Sequence, residues 1–374
     1  MSEGSRTSTP ARGTPVWRRY TELPRYLRAV QGRAELARLL GEVTVALGFE
    51  KVGVVSGATF TAALGADLAR ALPAVSPEPV RVESNTQAEV ERVAQSEVRG
   101  SDVVVAVGGG KTIDVAKSAC DSAGLPLIVV PTQLTADGIA SPVSVIRATD
   151  GTLHSGHGRL PIAVVVDLDV IAASPPERTR AGLGDLLANQ TALVDWRLAA
   201  EAGLEEVDDF AALLAQSASD LVYGSAPTGL VSGHPESDFL HRLLRGLVLS
   251  GLAMEIAGSS RPCSGAEHLI SHALDALRPG TAQHGEQVAF GTLVATRLQG
   301  GDWMAVRVFM LSAGLVGAAS GFGLPAQELI DAVRAAPSMR PDRHTVLSDP
   351  ACTEAAVGDA VRDVVRAATP DTPA

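Results

Sequence analysis

Between Glu50 and Asp169 the chain alternates short apolar runs with segments whose apolar residues recur at helical spacing. Lys51–Ser56, Val80–Glu83, Val103–Val107, Leu127–Val130 and Ala163–Asp167 read as strands. Thr61–Leu72, Gln87–Val98 and Thr112–Ala123 read as the helices between them. Strands alternating with helices predict parallel βαβ units and a doubly wound sheet. From about Pro175 the β signal fades and long Ala/Leu helical patterns take over, as in Ala181–Gly203, Phe239–Ala257 and Gln287–Arg297. The most apolar stretch, Phe309–Leu324, is broken by Ser and Gly and is too short to span a bilayer, so it predicts a buried helical pair. The expected architecture is an α/β Rossmann-like domain over 16–174 and an all-α domain over 175–368. Residues 1–15 and the tail after Ala368 are expected to be disordered.

Composition agrees with this division. At 374 residues the chain exceeds what one hydrophobic core normally serves. Aromatic residues are only 3%, so the core must be built mainly from Ala, Leu and Val. A net charge of −11 argues against a nucleic-acid backbone as partner. An anionic substrate then needs a locally positive pocket: a metal, a helix N-terminus or a few arginines. Cys120, Cys263 and Cys352 are odd in number and widely spaced, so they predict no disulfide framework and a reduced cytoplasmic setting. The Ser/Thr/Gly/Pro-rich start lacks the apolar core of a signal peptide.

Three separated segments carry the candidate chemistry. In the first, the strand Val103–Val107 runs into Gly108, Gly109 and Gly110, followed by Lys111, Thr112, Ile113 and Asp114. Glycines permit a tight turn and close approach of a pyrophosphate, and the helix N-terminus offers free N–H groups. A Walker loop is excluded because Val105 stands where it needs Gly. The strand Leu127–Val130 ends at Pro131-Thr132-Gln133-Leu134, at the carboxyl edge of the same sheet, where such folds bind ligands. The first strand ends in Ser56-Gly57, without the acidic residue that an NAD-selective site uses on the ribose, so a 2′-phosphate meets no repulsion. The other two segments hold Asp185, in Gly182-Leu183-Gly184-Asp185, and the histidines 268, 272 and 284. His268 and His272 share one helix face, and His284 opens another helix in His-Gly-Glu. A set of Asp185, His268 and His284 leaves a position open for a substrate oxygen, as catalytic zinc requires.

These segments, with Asp137-Gly138-Ile139-Ala140-Ser141-Pro142, Asp195-Trp196-Arg197, Ser260-Arg261-Pro262-Cys263-Ser264-Gly265-Ala266-Glu267-His268 and Arg340-Pro341-Asp342-Arg343-His344-Thr345, resemble the sn-glycerol-1-phosphate dehydrogenases. That family lies in a group with glycerol dehydrogenase, iron-containing alcohol dehydrogenases and 3-dehydroquinate synthase. The resemblance runs from about Asp102 to Thr345. It implies the dehydroquinate synthase-like fold, with cofactor and metal between the two domains. It aligns Asp185, His268 and His284 with the metal ligands, and Asn189 stands where the iron enzymes place a further His, which favours Zn2+, with Ni2+ as a substitute. Thr135 stands where the family often has Ser, and His344 where it has Tyr.

The resemblance implies reversible reduction of dihydroxyacetone phosphate to sn-glycerol 1-phosphate with NADPH or NADH. Two alternatives stay open: the same chemistry on another small hydroxyketone or sugar phosphate, and a sugar-phosphate cyclase that recycles its NAD. The cofactor is expected at Ser56, Gly108, Gly109, Gly110, Lys111, Thr112, Asp114, Thr132, Thr135 and Ser141. The substrate is expected at Asp137, Arg261 and His268. Asp137 and His272 are the candidate acid–base and proton-relay residues. The expected partners are a small phosphorylated substrate and further copies of the chain, with no membrane span.

Overall fold

The computed structural model describes residues 23–74, 76, 78–223, 229–233 and 235–366. The expectations for 1–15 and for the tail after Ala368 lie outside these residues. The N-terminal part runs β1 (Tyr26–Val30), α1 (Arg33–Ala46), β2 (Val52–Gly57), α2 (Phe60–Ala71), β3 (Val80–Val82), α3 (Gln87–Ala94), β4 (Val103–Gly108), α4 (Gly110–Ala123) and β5 (Leu127–Pro131). A hairpin, β6 (Val143–Arg147) and β7 (Leu153–His157), precedes the last strand, β8 (Ala163–Asp167). The large sheet has the order β1-β8-β5-β4-β2-β3, and its paired strands are all parallel. The order of connection reverses between β2 and β4, the kind of switch point at which a crevice opens beyond the carboxyl ends.

The alternation of side chains across the pleat explains the two layers. Val103, Val105 and Val107 pack with Leu36 and Leu40 of α1 and with Leu64 and Leu68 of α2. Val104 and Ala106 turn the other way and join Ile113, Val115 and Ala116 of α4. That second cluster continues without a break into Leu183, Leu186, Phe239, Leu269 and Phe290 of the helical region.

Helices follow from α5 (Leu168–Ala172) onward: α6 (Pro176–Glu201), α7 (Asp209–Asp220), α8 (Ser237–Ala257), α9 (Ala266–Leu277) and α10 (His284–Leu298). The chain closes with α11 (Trp303–Ser312), α12 (Val316–Ala319), α13 (Ala326–Ala335) and α14 (Glu354–Arg366). Among the described residues, no helix is long and apolar enough to cross a membrane. The stretch Phe309–Leu324 differs from its expectation. It forms the end of α11, the single turn α12 and a 3-10 turn at Gly321–Gly323, and Val316 within it is 56% exposed, so it is not a wholly buried pair. Helix α3 stops at Ala94, before a separate 3-10 turn at Glu97–Gly100.

Small residues set the crossing at which α10, the helix of His284, meets α6. A Cβ on Gly285 at the start of α10 would lie 1.9 Å from the Ala181 carbonyl oxygen, and one on Gly184 would lie 2.1 Å from the Gly285 carbonyl oxygen. Nearby on α6, Gly182 sits as tightly against the backbone of Leu134 after β5. The Gly-Leu-Gly-Asp and His-Gly-Glu motifs are thus two halves of one backbone contact, which places Asp185 beside His284. Gly285→Ala is expected to destabilise the protein by about 1–3 kcal/mol through overpacking and to weaken metal binding with it. A urea midpoint and a metal content both equal to the parent's would refute that reading.

Candidate active site

Asp185 lies on α6, His268 on α9 and His284 at the first position of α10. One ligand atom from each falls within 4.8 Å of the others. His268 Nε2 is 3.5 Å and His284 Nε2 3.7 Å from the same Asp185 oxygen, Oδ1. The outer ring nitrogens are held from behind. His268 Nδ1 lies 3.0 Å from Glu267 Oε1, and His284 Nδ1 lies 3.2 Å from Ser271 Oγ. Ser271 donates in turn to Gln287, whose amide donates to Asp275. Bracing of this kind sets the tautomer and aims both Nε2 lone pairs at one point. The Asp137 backbone N–H donates to the other Asp185 oxygen at 2.9 Å, leaving Oδ1 directed at the histidines.

The electrostatics point the same way. Burial pushes the Asp185 carboxyl up, but the His268 hydrogen bond, the two imidazoles and the Asp137 N–H more than reverse this and leave it below the usual range. For His268, burial disfavours the charged ring, yet Asp185 and Glu267 outweigh it and raise the pKa to about 10. The pocket favours positive charge. A carboxylate with two imidazoles is also a donor set of the type that binds divalent transition metals, so the residues present fit a metal ion.

Asn189 is not directed at this point. It is buried, donates to the Ala215 carbonyl at 3.1 Å and accepts from Ser250 at 3.2 Å. His272, a turn along α9 from His268, stacks on His284 with ring centroids 6.3 Å apart. Burial first, then the charges of His268, His284, Arg340 and Arg343, lower its pKa to about 3, so it is neutral beside the site.

Asp137 stands in a 3-10 turn (Asp137–Ile139) at the carboxyl edge of the sheet, and its Oδ2 accepts from Ser250 at 2.9 Å. Burial, and next the Asp185 charge, raise its pKa to about 7. The turn is held from below by Lys117 of α4. This lysine is fully buried and donates to the Gly138 carbonyl at 2.8 Å and to the Val143 carbonyl, with Asp114 at 4.0 Å.

The glycine turn joins β4 to α4 at the same edge. Gly108 packs against Thr112, and the helix starts at Gly110 with Gly109 as its N-cap and no side-chain cap, leaving its first N–H groups open. Thr132 lies beside it, its N–H donating to the Gly108 carbonyl, and its buried hydroxyl has no protein partner among the described residues. Such an orphaned hydroxyl beside open helix N–H groups fits a polar cofactor.

Several expected contacts are engaged elsewhere. Ser56 is fully buried, packed so closely under α2 that a Cβ on Gly65 would lie 2.5 Å from it, so its hydroxyl is not presented to a ribose. Lys111 reaches away from the turn to the Glu83 carbonyl at 3.0 Å. Ser141 is buried and its hydroxyl meets the backbone of Val143 within its own loop. Arg261, expected at the substrate phosphate, is 3% exposed and donates to Glu205 at 2.7 and 2.8 Å and to the His344 carbonyl at 2.7 Å, so its charge is already matched. Sequence reasoning misses the supporting roles of Lys117, Ser250, Glu267 and Asp195. For Lys117 the available signal is an opposite-charge pair at i,i+3, Asp114 and Lys117, on a face of α4 that also carries the buried Ile113 and Cys120.

Residues 32–175 match the family model described as iron-containing alcohol dehydrogenase. A glycerol-1-phosphate dehydrogenase, NAD(P)+, of Methanothrix thermoacetophila is 36% identical over 341 residues, covering 90% of this chain and 94% of that protein. One of the same name from Hyperthermus butylicus is 43% identical over 251 residues, 67% of this chain and 71% of that protein. Among solved structures, a probable glycerol dehydrogenase from Sinorhizobium meliloti 1021 superposes with a TM-score of 0.72 at 26% identity, covering 92% of this chain and 98% of that one. With likeness along nearly its whole length, and with the fold of the wider iron-containing alcohol dehydrogenase group, this chain belongs to the glycerol-1-phosphate dehydrogenase family.

Proposed function

We propose that this chain is a metal-dependent NAD(P)H oxidoreductase that reduces dihydroxyacetone phosphate to sn-glycerol 1-phosphate and runs the reverse oxidation. The observation that carries the reading is the convergence of Asp185, His268 and His284 beside Asp137, in the loop after β5 at the sheet edge that also carries the glycine turn. The relatives that match most of the chain bear the same activity in their names.

Asp185, His268 and His284 would hold zinc, with nickel as an accepted substitute. A divalent ion there supplies Lewis acidity toward the ketone or alcohol oxygen. Glu267 and Ser271 keep the imidazoles aimed, and the Asp137 N–H keeps Asp185 aimed. The open N–H groups at the start of α4 would hold the cofactor pyrophosphate, and the Thr132 hydroxyl would meet a polar group of the cofactor. A bound nicotinamide would supply the hydride for the carbonyl carbon, and the resulting oxygen would need one proton. Asp137 holds that proton, and Ser250 fixes the orientation of its carboxyl group.

The test is the absorbance of NADPH in the metal-loaded protein when dihydroxyacetone phosphate is added. The proposed enzyme consumes cofactor and ketone one for one. A cyclase would leave the absorbance unchanged, and a dehydrogenase of another hydroxyketone phosphate would respond only to its own substrate.

Cofactor choice follows from the end of β2. A Cβ on Gly57 would lie 2.6 Å from Thr61 Oγ1 and 3.2 Å from Thr112 Oγ1, so no acidic side chain has room there. With no carboxylate opposing a 2′-phosphate, NADPH is expected to give a kcat/KM at least equal to that of NADH. A strong preference for NADH would mean that another group reads the ribose.

A further inference from the structure

Three arginines gather at the segment that leads into α9, and their partners differ. Arg261 is neutralised by Glu205. Arg343 is 7% exposed, yet its guanidinium meets only neutral oxygens, the Ser264 carbonyl and the Ser260 hydroxyl at 3.0 Å. Half-buried Arg340 reaches the same Ser260 hydroxyl at 3.5 Å. Among the described residues neither Arg340 nor Arg343 has a carboxylate oxygen within 4.0 Å, although many arginines on the surface of this acidic chain have found one. Two like charges therefore converge on one hydroxyl with no carboxylate in contact. Burial first, then Arg340 and Arg261, lower the Arg343 pKa to about 10, and the more distant carboxylates of Glu205 and Glu267 offset this only in part. An unmatched buried charge is costly unless a partner arrives. The bonds of both run to the Ser260–Ser264 segment that leads into α9, the helix of His268.

We propose that Arg340, Arg343 and Ser260 form the cradle for the phosphate dianion of the substrate. The inference rests on the reading above that the ketone is phosphorylated. Two planar guanidinium forks and one hydroxyl suit a phosphate monoester, which accepts several charge-assisted hydrogen bonds at once. The cradle also leaves Arg261 a purely structural role, since its pairing with Glu205 and its bond to the His344 carbonyl tie down the loop that carries Arg343.

The test uses the metal-loaded protein with NADPH and two readouts: calorimetric titration with inorganic phosphate, and the kcat/KM ratio for dihydroxyacetone phosphate over dihydroxyacetone. Arg340→Gln is expected to weaken phosphate binding and reduce the ratio by about 10- to 100-fold. Arg343→Lys keeps the charge but loses the fork, and is expected to fall between that variant and the parent. Circular dichroism and metal content identify which variants are folded. If both folded variants bind phosphate and discriminate as the parent does, or if only Arg261→Gln abolishes phosphate binding, the cradle is refuted while the dehydrogenase reading stands. If the parent binds phosphate through Arg340 and Arg343 but does not oxidise NADPH with dihydroxyacetone phosphate, the cradle stands and the substrate assignment falls.

Discussion

His268→Ala and His284→Ala are each expected to leave the protein with little bound metal and to lower turnover by on the order of 10³-fold or more. The rate figure follows from a Lewis acid contributing several kcal/mol to the barrier, with tenfold in rate for each ~1.4 kcal/mol. The two variants remove one of three donors that fall within 4.8 Å of each other, and Asn189 is turned away and cannot replace either. A graded series separates ligands from their supports. Ser271→Ala, which removes the brace on His284 Nδ1, is expected to cost about 10- to 100-fold in metal affinity, the usual effect of an outer partner. Metal content by mass spectrometry beside steady-state rates decides the matter. Full metal and full activity in either histidine variant would end the assignment.

Asp137→Asn is expected to lower kcat by on the order of 10²–10⁴-fold, the usual span for general acid–base help, with metal content and cofactor affinity kept. The geometry makes this substitution a clean one. Asp137 touches Asp185 through its backbone N–H, which Asn retains, and Asn can still accept from Ser250 through its side-chain oxygen. What it loses is the exchangeable carboxyl proton. An Asp in an Asp-Gly turn often serves only the local backbone, but here its Oδ2 partner is Ser250, more than a hundred residues away on α8. An unfolded variant, or one with weak cofactor binding and intact kcat, would assign Asp137 to the turn or to the cofactor pocket instead.

The sheet is readable from the sequence because its inner strands are buried on both faces. Valine-rich runs such as Val103–Val107 and Ala163–Asp167, buried at every position, fit a strand covered on both sides. What is not readable depends on partners remote in the chain. Strand β1 is a half-buried edge strand whose register with β8 pairs Tyr26 with Ala163. The strand β7, Leu153–His157, is exposed at every position, so it carries no alternation to detect. The same distinction holds at the site. Asp185, His268 and His284 are legible because ligand chemistry restricts residue type. Arg261 and Ser56 mislead because sequence shows which groups are present and not which neighbour has already taken them. Glu205 lies 56 residues from Arg261, and nothing in local spacing joins the two.

Helix α6 carries two aspartates with distant duties. Asp185 faces the histidines, and Asp195 accepts from the N–H of Ala266, the first residue of α9, and from the N–H of Val346, just beyond the loop that holds Arg343. Ten residues of helix, about 15 Å, therefore act as a ruler between the donor cluster and the anchor of the arginine loop. A ruler tolerates changes of side chain far better than changes of length. One residue inserted between the two aspartates would turn Asp195 by about 100° around the axis and release both anchored segments together. An added residue is expected to be tolerated far better at the exposed turn of the β6–β7 hairpin, residues 149–152, than within α6.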